Sequence, residues 1–181
     1  MIHRLRKIRF IGFLLLPFAV LACTNDPTTN TQFELSERLK GHLHTYEARQ
    51  TIVLELLRES TDHALITRET RTLVDLSVPI LDTYMIINPR SRGFLNATKT
   101  VLNKIDTISE EAIERDYHDE AILPSRPDDQ GISYHIKDLL VHPATVLVLL
   151  REEDWESRRD DMISEIERNI RHVAGVRVAF P

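Results

Sequence analysis

Two pairs of histidine and acidic residues stand on either side of a polar loop at residues 123–131. Glu114 and His118 are four residues apart, and His135 and His142 are seven apart. Both spacings place two side chains on the same face of a helix. Facing pairs of imidazole and carboxylate groups are suited to a first-row transition metal. The sequence therefore predicts a candidate metal site with the ligands Glu114, His118, His135 and His142.

A structural role for the same residues stays open. The chain has no HExxH sequence, no paired Glu-x-x-His and no cysteine ligand set. Glu114 and His118 also fit a surface pair on one helix, and His142 also fits a helix junction before Pro143. A histidine buried beside Glu114 or Asp138 would serve equally well as a hydrogen-bonded strut between helices.

Other reactive groups give weaker patterns. His42 and His44 are two residues apart, so they point to different sides of a helix. Arg68 and Arg71, among threonines, fit either a small-anion site or a solvated face. The chain contains no GxSxG turn, no glycine-rich phosphate loop and no CxxCH haem attachment. The sequence therefore leans against an enzyme and names no catalytic residue.

Hydrophobic periodicity predicts about five helices that position these groups. Apolar residues recur every three or four positions from Phe33 to Glu59, from about residue 63 to Ile87, from Phe94 to about His118, and after Trp155. The segment 132–150 is the most apolar, and its run 144–150 is expected at the centre of the fold. A buried strand at 145–150 is an alternative, and Gly175 is expected to end the last helix.

These elements predict one all-α domain over residues 33–181. Five amphipathic helices with mostly short connections favour an antiparallel helical bundle. The loop at 123–131 is longer than such a bundle requires, and it separates the two histidine pairs. If this loop reverses the chain, His118, His135 and His142 are expected to approach one another.

The N-terminal segment has the pattern of an export signal. Four basic residues lie within the first nine, and an apolar run of about 12 residues follows, which is shorter than the roughly 20 residues that span a bilayer. The run ends in Val20-Leu21-Ala22-Cys23, which resembles the lipobox of bacterial lipoproteins. An ordinary signal with a chance cysteine, or a short uncleaved anchor, is the alternative.

The resemblance to bacterial lipoproteins implies a lipid anchor at Cys23. In that class the thiol accepts diacylglycerol, and the signal, here residues 1–22, is removed before the cysteine. Two or more acyl chains hold a protein stably on a membrane. Thr24 in place of Asp implies the outer membrane, with the domain facing the periplasm. The polar residues 23–32 are expected to form a flexible tether behind the domain.

The charge of the chain limits its partners. The sequence has 23 basic and 28 acidic residues, and four of the basic ones lie in residues 1–22, so the remainder has a net charge of −9. An acidic body argues against nucleic acid, because phosphate binding requires a basic surface. We therefore expect a lipid-anchored, non-enzymatic binding or scaffolding module with a protein partner in the cell envelope. The alternative is a metal-binding bundle, and an enzyme with an unrecognised site is third.

Overall fold

The computed structural model describes residues 27–127 and 129–181, which contain six α-helices and no β-strand. The expected all-α fold is confirmed. Cys23 and the signal lie outside the described residues. The helices are α1 (Pro27–Glu59), α2 (His63–Ile87), α3 (Arg92–Lys99), α4 (Glu110–Ile113), α5 (Ile132–Leu149) and α6 (Arg159–Ala179).

The four long helices α1, α2, α5 and α6 form an antiparallel bundle. Helix α1 packs against α2 and α6, and α5 packs against the same two helices. The antiparallel direction of α1 and α6 follows from their cross-contacts, because Glu47 pairs with Arg177 and the Leu57 carbonyl accepts from Arg159. The segment 88–131, with the short helices α3 and α4, is the long connection between α2 and α5.

The first two helices follow their sequence patterns. Leu39, Leu43 and Tyr46 of the predicted α1 face are fully buried. Helix α1 begins at Pro27, so residues 27–32, which the sequence analysis assigned to the tether, are helical. Helix α2 begins after Asp62, whose carboxylate accepts from the Leu65 amide at 2.9 Å as a helix N-cap.

The predicted third helix, from Phe94 to His118, is wrong as a continuous element. Helix α3 ends at Lys99 and passes through a 3-10 turn (Thr100–Asn103), and a new short helix, α4, begins after Ser109. Threonine side chains bond to nearby carbonyls here, and the Ser109 hydroxyl caps the Ala112 amide. Such local bonds compete with an unbroken helix. The predicted apolar face is nevertheless correct for Phe94 and Ile105, which are buried.

Helix α5 is the core of the bundle. It remains helical through Leu149, so the strand alternative at 145–150 is wrong. Residues 136–150 are all buried, which confirms the central position of the run 144–150. Asp129 holds the start of α5 on α2, because its carboxylate accepts from the Tyr84 hydroxyl at 2.9 Å and from the Ser133 amide at 3.1 Å. These bonds hold the loop before α5 against the C-terminal end of α2.

The last helix corrects two expectations. Gly175 does not end it, because α6 continues to Ala179. Ile170, which fits the apolar periodicity after Trp155, is exposed, whereas Asn169 and Val176 are buried. Across residues 27–127 and 129–181, no helix combines the length and the apolar character that spanning a bilayer requires.

Candidate metal centre

Four imidazole rings form a continuous row between α5, α6 and the segment before the loop. Ring centroids are 4.8 Å apart between His118 and His142, 5.0 Å between His142 and His172, and 5.2 Å between His172 and His135. We call these four residues the histidine row. The row lies in the interior of the bundle at its centre and reaches partly exposed positions at both ends.

The first ring is positioned by an unusual turn. Residues Glu114–His118 form one turn of π-helix, closed by the Asp119 amide, which donates to the Glu114 carbonyl at 2.9 Å. Such turns occur frequently at functional sites. The fully buried Lys137 fixes the end of this turn, because its ammonium donates to the carbonyls of Tyr117 at 2.9 Å and His118 at 3.2 Å.

Asp138 lies beside the two central histidines of the row, His142 and His172, and we call these three residues the inner triad. One donor atom from each lies within 4.8 Å of the other two. The closest such atoms of Asp138 and His172, Oδ2 and Nε2, are 3.5 Å apart. His142 is 3% exposed and Asp138 is 1% exposed. A built cluster of two imidazoles and one carboxylate is therefore enclosed by the protein.

One polar atom of the inner triad has no polar partner. His142 Nε2 is buried and finds no hydrogen-bond partner in the part of the chain that the structure describes, whereas Asp138 Oδ1 lacks a hydrogen bond but is paired with a lysine. The Lys137 ammonium lies 3.2 Å from Asp138 Oδ1 as an ion pair. Burying a polar atom without a hydrogen bond costs free energy, so orphaned atoms require an explanation.

The other side of each inner imidazole is already bonded. His142 Nδ1 donates to Glu165 Oε2 at 2.7 Å, which leaves the lone pair on Nε2. His172 Nδ1 lies 3.0 Å from His135 Nδ1, so one of these nitrogens donates to the other. Carboxylates and other acceptors bonded in this way fix the tautomer and the orientation of metal-binding histidines.

A network of buried polar side chains holds the α5 backbone in place at Asp138. The Asn169 side-chain amide donates to the Asp138 carbonyl at 2.9 Å, and the Tyr46 hydroxyl donates to Asn169 Oδ1 at 2.8 Å. All three residues are buried. Helices α1 and α6 thus hold the backbone that carries the carboxylate.

Burial controls the protonation of the site. Desolvation lowers the pKa of His118, His142 and His172 to about 3. It raises the pKa of Asp138 from 3.8 to about 6, although Lys137 lowers it. Desolvation also raises the pKa of Glu165. At neutral pH the three imidazoles are therefore neutral and keep a lone pair for a ligand.

A cleft of about 470 Å³ opens beside the outer end of the row. Its lining includes Glu114, Thr145, Glu165 and Arg168. His118 Nε2 lies 3.7 Å from Glu165 Oε2 and 3.9 Å from Glu114 Oε2. Desolvation and the charge of Glu165 both raise the pKa of Glu114. We call Glu114, His118 and Glu165 the outer triad and this opening the outer cleft.

The structure brings together most of the predicted site residues. His118 and His142 are neighbours, whereas His135 reaches them only through His172. Asp119, beside His118, is exposed. Sequence reasoning missed His172, Glu165 and Lys137. Two of them could have been found from their spacing, because Glu165 and His172 are seven residues apart and therefore lie on one face of α6.

The weaker patterns have structural explanations. His44 is exposed on α1. Arg68 pairs with Glu69 at 3.0 Å, and Arg71 pairs with Asp106 at 2.7 Å. Each guanidinium group is thus already bonded to a carboxylate, which does not favour the suggested anion site. The His63 ring packs against Trp155 with centroids 5.1 Å apart.

Comparison of the chain with protein-family models, curated proteins and solved structures gives no match. Function is therefore inferred from the chemistry of the described side chains.

Proposed function

We propose that this protein is a lipid-anchored envelope protein whose helical domain binds a divalent first-row transition metal at Asp138, His142 and His172. The observation that carries the proposal is the orphaned, buried Nε2 of His142, which lies in the inner triad. Its Nδ1 is already bonded to Glu165.

The geometry of the inner triad supports this proposal. Two ligands bound to zinc at about 2.0–2.1 Å in a tetrahedral site are about 3.3 Å apart. Asp138 Oδ2 and His172 Nε2 are 3.5 Å apart, and the three donor atoms lie within 4.8 Å of one another. Shifts of about 1 Å in side-chain position would complete such a set.

The protonation states of the inner triad also support the metal proposal. Metal ligands must be deprotonated, and neutral imidazoles remove the competition from protons at neutral pH. Lys137 compensates the Asp138 charge within the bundle. A bound cation would satisfy the buried His142 Nε2.

The ligand types indicate the class of metal. Two imidazoles and one carboxylate suit zinc or ferrous iron, and both leave a coordination position for water or a further ligand. We therefore propose binding of a divalent metal without assigning a reaction to it.

The proposed location rests on the resemblance of Val20-Leu21-Ala22-Cys23 to the lipobox. Acyl chains at Cys23 would hold the domain at the bacterial outer membrane. Replacing Cys23 by Ser is expected to abolish palmitate labelling and partitioning into detergent, because the thiol that accepts the lipid is lost. The measurement is metabolic labelling with palmitate, followed by phase separation. Detergent partitioning that survives the substitution would refute the anchor.

The metal proposal is tested by zinc titration of the full-length protein in detergent after treatment with a chelator. Excess zinc is expected to raise the melting temperature, because a ligand at 100 times its Kd stabilises the folded state by about 2.7 kcal/mol. Asp138→Asn and His172→Gln should each remove most of this rise. His44→Gln, at an exposed histidine on α1, is the matched control and should leave it unchanged. An unchanged wild-type melting curve would leave the histidine row as a hydrogen-bonded strut.

A further inference from the structure

The outer cleft presents a second set of donor atoms on the solvent side of the inner triad. His118 Nε2 is within 3.7 Å of Glu165 Oε2 and within 3.9 Å of Glu114 Oε2. Both distances are measured from His118 Nε2 and are close to the roughly 3.3 Å between ligands of one metal ion. The donor atoms that lie within 4.8 Å of one another at this end are those of His118, Glu165 and His142, so the exposed Glu114 side chain must swing inward to join them. Glu114 and Glu165 are near enough to repel each other, and a cation between them would relieve that repulsion.

The second set differs from the inner triad in its access to solvent. The Glu114 side chain is 58% exposed, whereas those of His118 and Glu165 are 12% and 10% exposed. Both glutamates line the outer cleft. Arg168 donates to Glu165 Oε1 at 2.7 Å, which turns Oε2 towards the histidines. The two carboxylates therefore border the opening, and His118 lies behind its lining, in contact with the Thr145 hydroxyl.

The two sets are adjacent through one pair of residues. Glu165 Oε2 accepts from His142 Nδ1, and His142 is also a member of the inner triad. The acids of the cleft rim exceed its arginines, and this rim includes Glu110, Glu111, Asp161, Arg158 and Arg168. Although Arg158 and Arg168 are paired with some of these acids, the excess of negative charge favours cations near the opening.

We infer that Glu114, His118 and Glu165 form a second, weaker divalent-cation site in the outer cleft, through which metal reaches the inner triad. This inference rests on the proposed function. Ligation at His118 Nε2 replaces its 3.2 Å contact with the Thr145 hydroxyl. The outer ion keeps more water than the inner one because Glu114 faces solvent.

The experiment is titration and stopped-flow mixing of the full-length protein with Co²⁺, followed by its visible absorption. The wild type is expected to bind two Co²⁺ ions with unequal affinity. Glu114→Gln should bind one Co²⁺ ion. Its inner site should fill at least about threefold more slowly, because the negative charge that attracts the cation is lost. Glu55→Gln, at an exposed carboxylate on α1, is the matched control and should behave as wild type.

The outcomes separate the two ideas. Asp138→Asn should lose the tighter Co²⁺ ion and keep the weaker one. A wild type that binds one Co²⁺, with an unchanged rate in Glu114→Gln, overturns the second site and leaves the inner triad intact. Absence of any Co²⁺ binding overturns the proposed function itself, and circular dichroism of each variant verifies that it is folded.

Discussion

Gly175 is the residue at which a missing side chain has the clearest effect on the candidate site. A Cβ at this position would lie 2.7 Å from ring atoms of His135, a separation that real Cβ atoms do not tolerate. The His135 ring therefore packs directly against the backbone of α6, where it reaches His172. A glycine in a helix is ordinarily unfavourable, so this one is explained by the close approach of the ring.

Gly175→Ala tests this explanation against Gly41→Ala on α1, where a Cβ meets nothing within 4 Å. Gly41→Ala should raise the free energy of unfolding by about 0.5–1 kcal/mol, because alanine favours the helix. Gly175→Ala should not raise the free energy of unfolding in this way, because the His135 ring must move. It should also alter the imidazole NMR signals of His135 and His172. Equal stabilisation by both variants, with unchanged NMR signals, would show that the ring packing is unimportant.

At the scale of elements, α5 carries most of the core and most of the site. It begins at a fixed loop, passes the histidine row, and ends in the apolar run 144–150. Pro143 lies inside it. Helix α6 supplies the facing groups Glu165 and His172. The pairing of these two helices therefore determines both the stability of the bundle and the shape of the candidate centre.

Leu147→Asp tests the central position of α5. The side chain is 3% exposed, so a carboxylate there must be desolvated without a partner, which costs several kcal/mol. We expect the melting temperature to fall steeply, or the protein not to fold. Arg38→Asp, at an exposed position of α1, is the comparison and should change stability by less than about 0.5 kcal/mol. Similar melting temperatures for the two variants would contradict a central α5.

For the whole molecule, the buried histidines couple folding to pH. The folded pKa values of His118, His142 and His172 are about 3, below the ordinary value of 6.5. As pH falls below 6.5, these histidines become protonated in the unfolded chain but stay neutral in the folded protein, so the free energy of unfolding decreases. The raised pKa values of Asp138, about 6, and of Glu165 and Glu114 act in the opposite direction as the pH falls towards about 4. We expect the three histidines to outweigh these acids, because the histidine pKa values are displaced the furthest.

We therefore expect the urea midpoint of chelator-treated protein to fall as the pH is lowered from 7 to 4.5. His172→Gln removes one of the three groups and should make this dependence shallower. The measurement is urea denaturation followed by circular dichroism at several pH values. A midpoint that is constant or higher at pH 4.5 would contradict the burial of neutral imidazoles.

The sequence by itself determined the all-α class, the buried faces of α1 and α2 and the pairing of Glu114 with His118. These features depend on residues within about one or two helical turns of one another, where periodicity acts. The break after Lys99 escaped this reasoning because the apolar face continues across it.

Only the tertiary structure decided which groups meet. Glu165 and His172 are 23 and 30 residues beyond His142, and no local pattern specifies that α6 turns them towards α5. The burial of Lys137 and the orphaned nitrogen of His142 likewise arise from packing between helices. Helix formation is governed by near neighbours in the chain. The candidate centre depends instead on which helix faces exclude water together.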